Sequence, residues 1–178
     1  MAVERILVVD DEKSMCQFLS IMLRKEGYDI TTVSTGKKAV EEVAASKFDV
    51  VLTDIKMAGM DGMEVLREIK RLDPTMPVVI MTAYASQKTA IEAVNQGAFH
   101  YLIKHAKNDE IKMVVRNALD MKRVRTENVL LKKQLKKSSD LRTIIGKSDE
   151  MQKIYHLVDK VADTESTILV FGESGTGK

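Results

Sequence analysis

Five short apolar runs punctuate the first part of the chain: Ile6-Leu7-Val8-Val9, Tyr28 to Val33, Asp49 to Thr53, Pro77 to Met81 and Phe99 to Ile103. Runs of this length suit strands buried on both faces, as in a parallel sheet. Between them apolar residues recur at helical spacing. Phe18, Leu19, Met22 and Leu23 form one such stripe, with Gly27 placed to stop the helix. Val65, Leu66, Ile69 and Leu72 form another, ended by Asp73-Pro74, and Ile91 and Val94 a third, ended by Gly97. Strand–helix alternation predicts an α/β fold with a doubly wound, five-stranded parallel sheet. Ligands of such sheets bind beyond the carboxyl ends of the strands, so the residues that end the runs carry the functional information.

The pattern changes after Asn108. Residues 108–137 lack Gly and Pro and predict one helix about 45 Å long at ~1.5 Å per residue. Its first part offers Ile111, Val114, Val115 and Leu119 to the sheet. Its second part places Met121, Val124, Asn128, Leu131 and Leu135 at alternating spacings of three and four, a coiled-coil seam with Asn128 at an a-type position. Packing of this seam on the chain's own domain competes with self-association. The separate apolar face upstream favours self-association into a homodimer. Ser138-Ser139-Asp140 should end the helix. Three segments follow from this: a domain over 1–120, a dimerisation linker over 121–140, and a second, incomplete unit over 141–178. In that last unit Ser148 is placed to cap a helix running to Val161, and 167–171 reads as a strand.

Composition narrows the class. The 178 residues are 44% hydrophobic and 30% charged, enough apolar content for one buried domain plus an appendage. No run reaches the ~20 apolar residues of a membrane span, and the amino terminus carries no signal-peptide pattern. Cys16 is the only cysteine, which excludes an internal disulfide and a cysteine-based metal site. The expectation is a cytoplasmic protein without membrane contact. The net charge of +2 conceals a basic segment: Lys122, Arg123, Arg125, Lys132, Lys133, Lys136 and Lys137 against Asp120 and Glu127. This reads as the solvated face of a helix, with nucleic-acid binding as the other option. His100, His105 and His156 lack metal-ligand spacing.

The run ends bring specific chemistry together. The first gives Asp10-Asp11 and the third gives Asp54. Carboxylates brought close repel one another, and a hydrated divalent cation such as Mg2+ relieves that cost. Thr82 ends the fourth run with a hydroxyl and Lys104 ends the fifth with a cation. A carboxylate nucleophile, a metal, a hydroxyl and an ammonium suit phosphoryl transfer.

Asp10-Asp11, Asp54, Thr82, Tyr101 and Lys104, together with Leu52-Thr53-Asp54-Ile55-Lys56-Met57 and Gly59-Met60-Asp61-Gly62, resemble the response-regulator receiver domain of two-component signalling over about 120 residues. The resemblance implies a flavodoxin-like fold and phosphorylation of Asp54 by a histidine kinase. It further implies Mg2+ on Asp10 (mainly through water), Asp11, Asp54 and the Lys56 backbone carbonyl. Lys104 and Thr82 would assist the transfer, and Thr82 and Tyr101 would form a switch pair. Two positions depart from the family: Ala58 and His105 stand where proline is common. A cis bond before a non-proline residue costs ~3–4 kcal/mol, so the Lys104–His105 bond is predicted to be trans, which leaves the placement of the Lys104 ammonium open.

Gly172-Glu173-Ser174-Gly175-Thr176-Gly177-Lys178 fits the phosphate-binding loop pattern, with Gly172, Gly175, Gly177 and Lys178 as its nucleotide-binding positions. The following Ser/Thr, an acidic residue for magnesium and the helix are not in the sequence, so no ATP hydrolysis is expected from this chain. With Gly146-Lys147-Ser148 and the helix after it, the segment resembles the opening of the AAA+ domain of sigma-54-dependent transcriptional activators. That resemblance implies a nitrogen-regulation-type parent protein that binds ATP, DNA and sigma-54 RNA polymerase. Residues 141–178 are expected to be largely disordered or to borrow contacts from a partner. The competing readings are a P-loop ATPase fragment with a passive receiver, and a nucleic-acid binder acting through the basic linker.

Overall fold

In the computed structural model residues 3–83, 86–138, 148–161, 167, 169 and 171 are described, with the side chains of 133–138 and 159 excepted. Five parallel strands, β1 (Arg5–Val9), β2 (Asp29–Val33), β3 (Val50–Asp54), β4 (Val78–Thr82) and β5 (His100–Ile103), form one sheet in the order β2-β1-β3-β4-β5. Each begins within one residue of the run that predicts it. The order reverses between β1 and β3, and that crevice is where doubly wound sheets bind ligands.

The alternation of strand side chains builds two cores. Ile6 and Val8 of β1 face one side, where they pack with Leu19 and Leu23 of α1 (Lys13–Lys25) and with Ile111, Val114, Val115 and Ala118 of the last receiver helix. Leu7 and Val9 face the other side and meet Ala39 of α2 (Gly36–Ala45), Val65, Leu66 and Ile69 of α3 (Gly62–Leu72), and Ala93 of α4 (Gln87–Asn95). The sequence pattern did not single out α2. It is short, and only Gly36 and Ala39 are buried along it, so its apolar stripe is too thin to stand out. Gly27 (φ 97°) and Gly97 (φ 89°) lie just beyond α1 and α4, where the sequence places helix stops.

The helix α3 starts at a capping box. Asp61 Oδ1 accepts from the Glu64 amide at 2.8 Å and Glu64 Oε2 accepts from the Asp61 amide at 3.0 Å. By contrast α4 buries only Ala93 and has no side-chain cap, so little apolar contact holds it. The long helix α5 runs over Asn108–Ser138, matching its predicted span. Ile111, Val114, Val115 and Ala118 are buried, whereas Val124 is 63% and Leu131 is 52% exposed.

The chain divides into two compact units, 1–129 and 130–178. In the second, α6 (Asp149–Val161) has the predicted cap: Ser148 Oγ accepts from the Met151 amide at 3.3 Å. Of the strand expected over 167–171, the described positions Thr167, Leu169 and Phe171 are not in a strand. The phosphate-loop residues Gly172, Gly175, Gly177 and Lys178, and the order expected of the carboxyl terminus, lie outside the described residues. Among the described residues no helix is long and apolar enough to cross a membrane.

Candidate functional site

Asp10, Asp54, Thr82 and Lys104 converge at the carboxyl ends of β1, β3, β4 and β5. Parallel pairing in register puts Val9 beside Thr53 and Asp54 beside Met81, which lines up the residues that follow. Lys104 is carried by the amide bond from Lys104 N to the Thr82 carbonyl, 2.7 Å. Carboxylate oxygens of Asp10, Asp11 and Asp54 come within 4.8 Å of one another. Asp10 is fully buried, Asp54 is 5% exposed, and Asp11 faces solvent.

Lys104 Nζ sits 2.8 Å from Asp10 Oδ2 and 2.8 Å from Asp54 Oδ2. Its hydrogen bond is directed to Asp54. The equally short contact to Asp10 Oδ2 lets the three donors of one ammonium serve both carboxylates. Asp10 Oδ1 accepts from the Glu12 amide at 2.9 Å. Burial pushes the Asp10 carboxyl above its ordinary value; Lys104 and the Glu12 amide offset only part of this. Burial alone would lower the Lys104 ammonium, but the contacts with Asp10 and Asp54 outweigh it and the net direction is up. No described peptide bond is cis, so Lys104–His105 is trans as predicted, and the ammonium still reaches both carboxylates.

The loop after β3 is held at both ends. The Gly62 amide donates to the Ile55 carbonyl at 2.9 Å. A Cβ at Gly62 would lie 2.0 Å from the Asp54 carbonyl oxygen, so only glycine fits against the backbone of that aspartate. Lys56 is exposed in this loop. Thr82 is 4% exposed at the end of β4. Tyr101 is half-buried, and its hydroxyl lies 3.0 Å from Thr89 Oγ1 of α4.

Some contacts around the crevice and beneath the sheet were not read from the sequence. Thr89 had no visible signal, because its contact with Tyr101 depends on the register between α4 and β5. Cys16 donates its thiol to the Asp10 carbonyl at 3.3 Å, and burial first, then the Asp10 charge, raises its pKa. Lys122, counted among the basic linker residues, is half-buried. Its ammonium donates to the Phe48 carbonyl and stands 3.5 Å from Asp49 Oδ1 and 3.8 Å from Met76 Sδ. It therefore belongs to the floor of the receiver rather than to a solvated basic stripe.

A parallel sheet with an acidic crevice at its carboxyl edge and a lysine bridging two of the aspartates is the architecture of a signalling receiver. The chain belongs to the response regulator receiver domain family, whose model matches residues 6–116. The model of the Sigma-54 interaction domain matches residues 144–178. The transcriptional regulatory protein ZraR of Escherichia coli (strain K12) is 42% identical over 173 residues, which cover 97% of this chain and 38% of ZraR. The chain thus spans well under half the length of that curated relative. Among solved structures, the Thermotoga maritima response regulator TrrA in complex with Mg2+-BeF superposes with a TM-score of 0.61 at 33% identity, covering 66% of this chain and 100% of TrrA. The beryllofluoride-activated NtrC4 receiver domain dimer gives 0.64 at 31% identity, covering 66% of this chain and 98% of that one.

Proposed function

We propose that this chain is the regulatory part of a two-component response regulator in which Asp54 accepts a phosphoryl group from a histidine kinase. The observation that carries the proposal is the Lys104 ammonium bridging Asp54 and the buried Asp10. An Asp54 carboxylate oxygen attacks phosphorus in line; the O–P bond forms as the P–N bond to the kinase histidine breaks, and the imidazole leaves with that electron pair. Lys104 neutralises charge on the transferred group and Thr82 offers it a hydroxyl. The clustered carboxylates of Asp10, Asp11 and Asp54 fit a hard cation. Asp10, Asp11, Asp54 and the Lys56 carbonyl would hold Mg2+, which supplies charge neutralisation of the phosphoryl oxygens.

The signal leaves through Thr82 and Tyr101 to the α4–β5 surface, and from there to pairing of two copies through the α5 seam of Met121, Val124, Asn128, Leu131 and Leu135, of which Val124, Asn128 and Leu131 are exposed. The domain boundaries at about 120 and 140 follow from this division of labour. The match of 144–178 to the Sigma-54 interaction domain supports a longer parent that binds ATP, DNA and sigma-54 RNA polymerase in the cytoplasm. Gly172, Gly175, Gly177 and Lys178 would contribute to the ATP site of that parent; this chain itself is a phosphoryl acceptor without ATPase activity. Acetyl phosphate with Mg2+ should add one phosphoryl group to the wild type and none to Asp54→Ala. Equal labelling of both by intact-protein mass spectrometry would remove Asp54 as the acceptor.

A further inference from the structure

We infer that the cleft between α1 and α2 binds a small zwitterion, one that carries an anionic group and an amino group about 5 Å apart. The cleft encloses about 610 Å3. Small-molecule sites are found at roughly 300–1,000 Å3. It opens at the carboxyl ends of β1 and β2, on the flank of the sheet away from Thr82 and Lys104. It lies apart from the proposed phosphoryl acceptor and shares only Asp10 with the acidic crevice. The buried and half-buried members of its lining, Asp10, Cys16 and Val33, form the floor. Two bonds hold that floor. The Asp10 amide donates to the Val33 carbonyl at 3.1 Å, and the Cys16 thiol donates to the Asp10 carbonyl at 3.3 Å.

The charges around this floor are sorted along the cleft. Both helices start at the carboxyl edge of the sheet and run away from it. Lys13 opens α1 and Lys38 lies in the first turn of α2, so both cations belong to the upper end. No side chain caps the start of α1, and the partial positive charge of its first amides adds to theirs. Glu41 and Glu42 follow Lys38 by three and four residues, about 4.5–6 Å further along the axis. Opposite charges at these spacings share one face of a helix and ordinarily meet across the turn. Here none of Lys13, Lys38, Glu41 and Glu42 forms an ion pair among the described residues. Two cations above and two anions below thus line one cavity without neutralising each other. A plain anion placed there meets the glutamates and Asp10; a plain cation meets the lysines. A molecule with its anionic group at the upper end and its amine one turn below pairs with all four. Gln17, Thr32 and Ser34 add an amide and two hydroxyls that orient it.

A spacing series tests this on the 178-residue chain. Glycine, 3-aminopropanoate, 4-aminobutyrate and 6-aminohexanoate hold their charges progressively further apart. Binding is read by isothermal titration and by amide chemical shifts. 4-Aminobutyrate, which spans about 5 Å when extended, should bind best of the four, with a Kd of about 1 mM or tighter. It should move the amides of residues 10–17 and 31–42. Butyrate and butylamine carry one charge each and should bind about tenfold more weakly or worse. Lys38→Gln, and Glu41→Gln with Glu42→Gln, should each weaken 4-aminobutyrate by about tenfold. Both variants should still be labelled on Asp54 by acetyl phosphate as the wild type is, which reports an intact fold. Absence of saturable binding across the series, butyrate or butylamine binding as tightly as 4-aminobutyrate, or unaltered affinity in both variants would each overturn the inference.

Discussion

The Tyr101 hydroxyl donates to Thr89 Oγ1 at 3.0 Å, because Thr89 directs its own single proton to the Ser86 carbonyl, also 3.0 Å away. This bond joins the strand that follows the acidic crevice to a helix that buries only one residue. Thr89 is thus placed to report the position of Tyr101 to α4. Thr89→Val keeps the shape and removes the acceptor. Labelling of Asp54 by acetyl phosphate should stay within about twofold of wild type, while the change in dimer mass produced by beryllofluoride shrinks. An unchanged response would show that the bond carries no signal. The bond itself is of ordinary strength, about 1 kcal/mol, which is enough to shift a balanced pair of states severalfold.

Asp10 gives a prediction about stability. Its carboxyl is raised above the usual value by burial, so the ionised form is the one the fold tolerates poorly. Below its ordinary unfolded value the group is protonated in both states and costs nothing. As pH rises from there through the folded value the cost develops in full. In EDTA, Asp10→Asn should therefore stabilise the protein at pH 7 by roughly 1–3 kcal/mol in urea melts, with the gain fading toward acid pH. Mg2+ should raise the melting temperature of wild type and leave that of Asp10→Asn nearly fixed. A less stable Asp10→Asn in EDTA at pH 7 would contradict this reading.

Two glycines of the same loop should respond differently to alanine. At Gly62 a Cβ meets the Asp54 carbonyl oxygen at 2.0 Å, so Gly62→Ala must displace the backbone of the acceptor. The expected cost is about 3 kcal/mol or more, with loss of acetyl phosphate labelling. At Gly59 (φ 84°) the space is open, and Gly59→Ala should cost only about 1 kcal/mol of backbone strain with labelling retained. Equal effects of the two substitutions on labelling would show that contact with Asp54 is not what matters.

Lys122 secures the start of the α5 extension. Lys122→Met preserves the aliphatic stem but leaves the Phe48 carbonyl without this donor and Asp49 without this cation. A loss of about 1–3 kcal/mol is expected in chemical denaturation. Hydrogen exchange should rise in α5 after residue 118 and stay unchanged in the β1–β3 core. A variant as stable as wild type with unaltered exchange would mark the contact as incidental.

The parts legible in the sequence were those set by local pattern or by position at a strand end. The five strands, the stops at Gly27 and Gly97, the Ser148 cap and the crevice residues all belong there. Two kinds of feature stayed hidden. Thr89 and Lys122 matter because of partners 12 or more residues away, and only tertiary register decides which atoms they meet. The α2 helix was missed because its buried face is too narrow to generate a period. The His105 departure raised a real question about Lys104, since a trans bond could have turned the side chain aside; the β4–β5 pairing holds it in place regardless.

The length of α5 carries one more implication. Within the first compact unit, 10 residues of helix extend past Leu119 as far as Val129, a rod of about 15 Å. A rigid rod acts as a lever. A tilt of about 10° at its root sweeps its tip sideways by about 2.6 Å, roughly half the pitch of one helical turn. The mechanical advantage lies in the geometry, so a chemical event the size of one phosphoryl group can be read out as a displacement the size of a side chain.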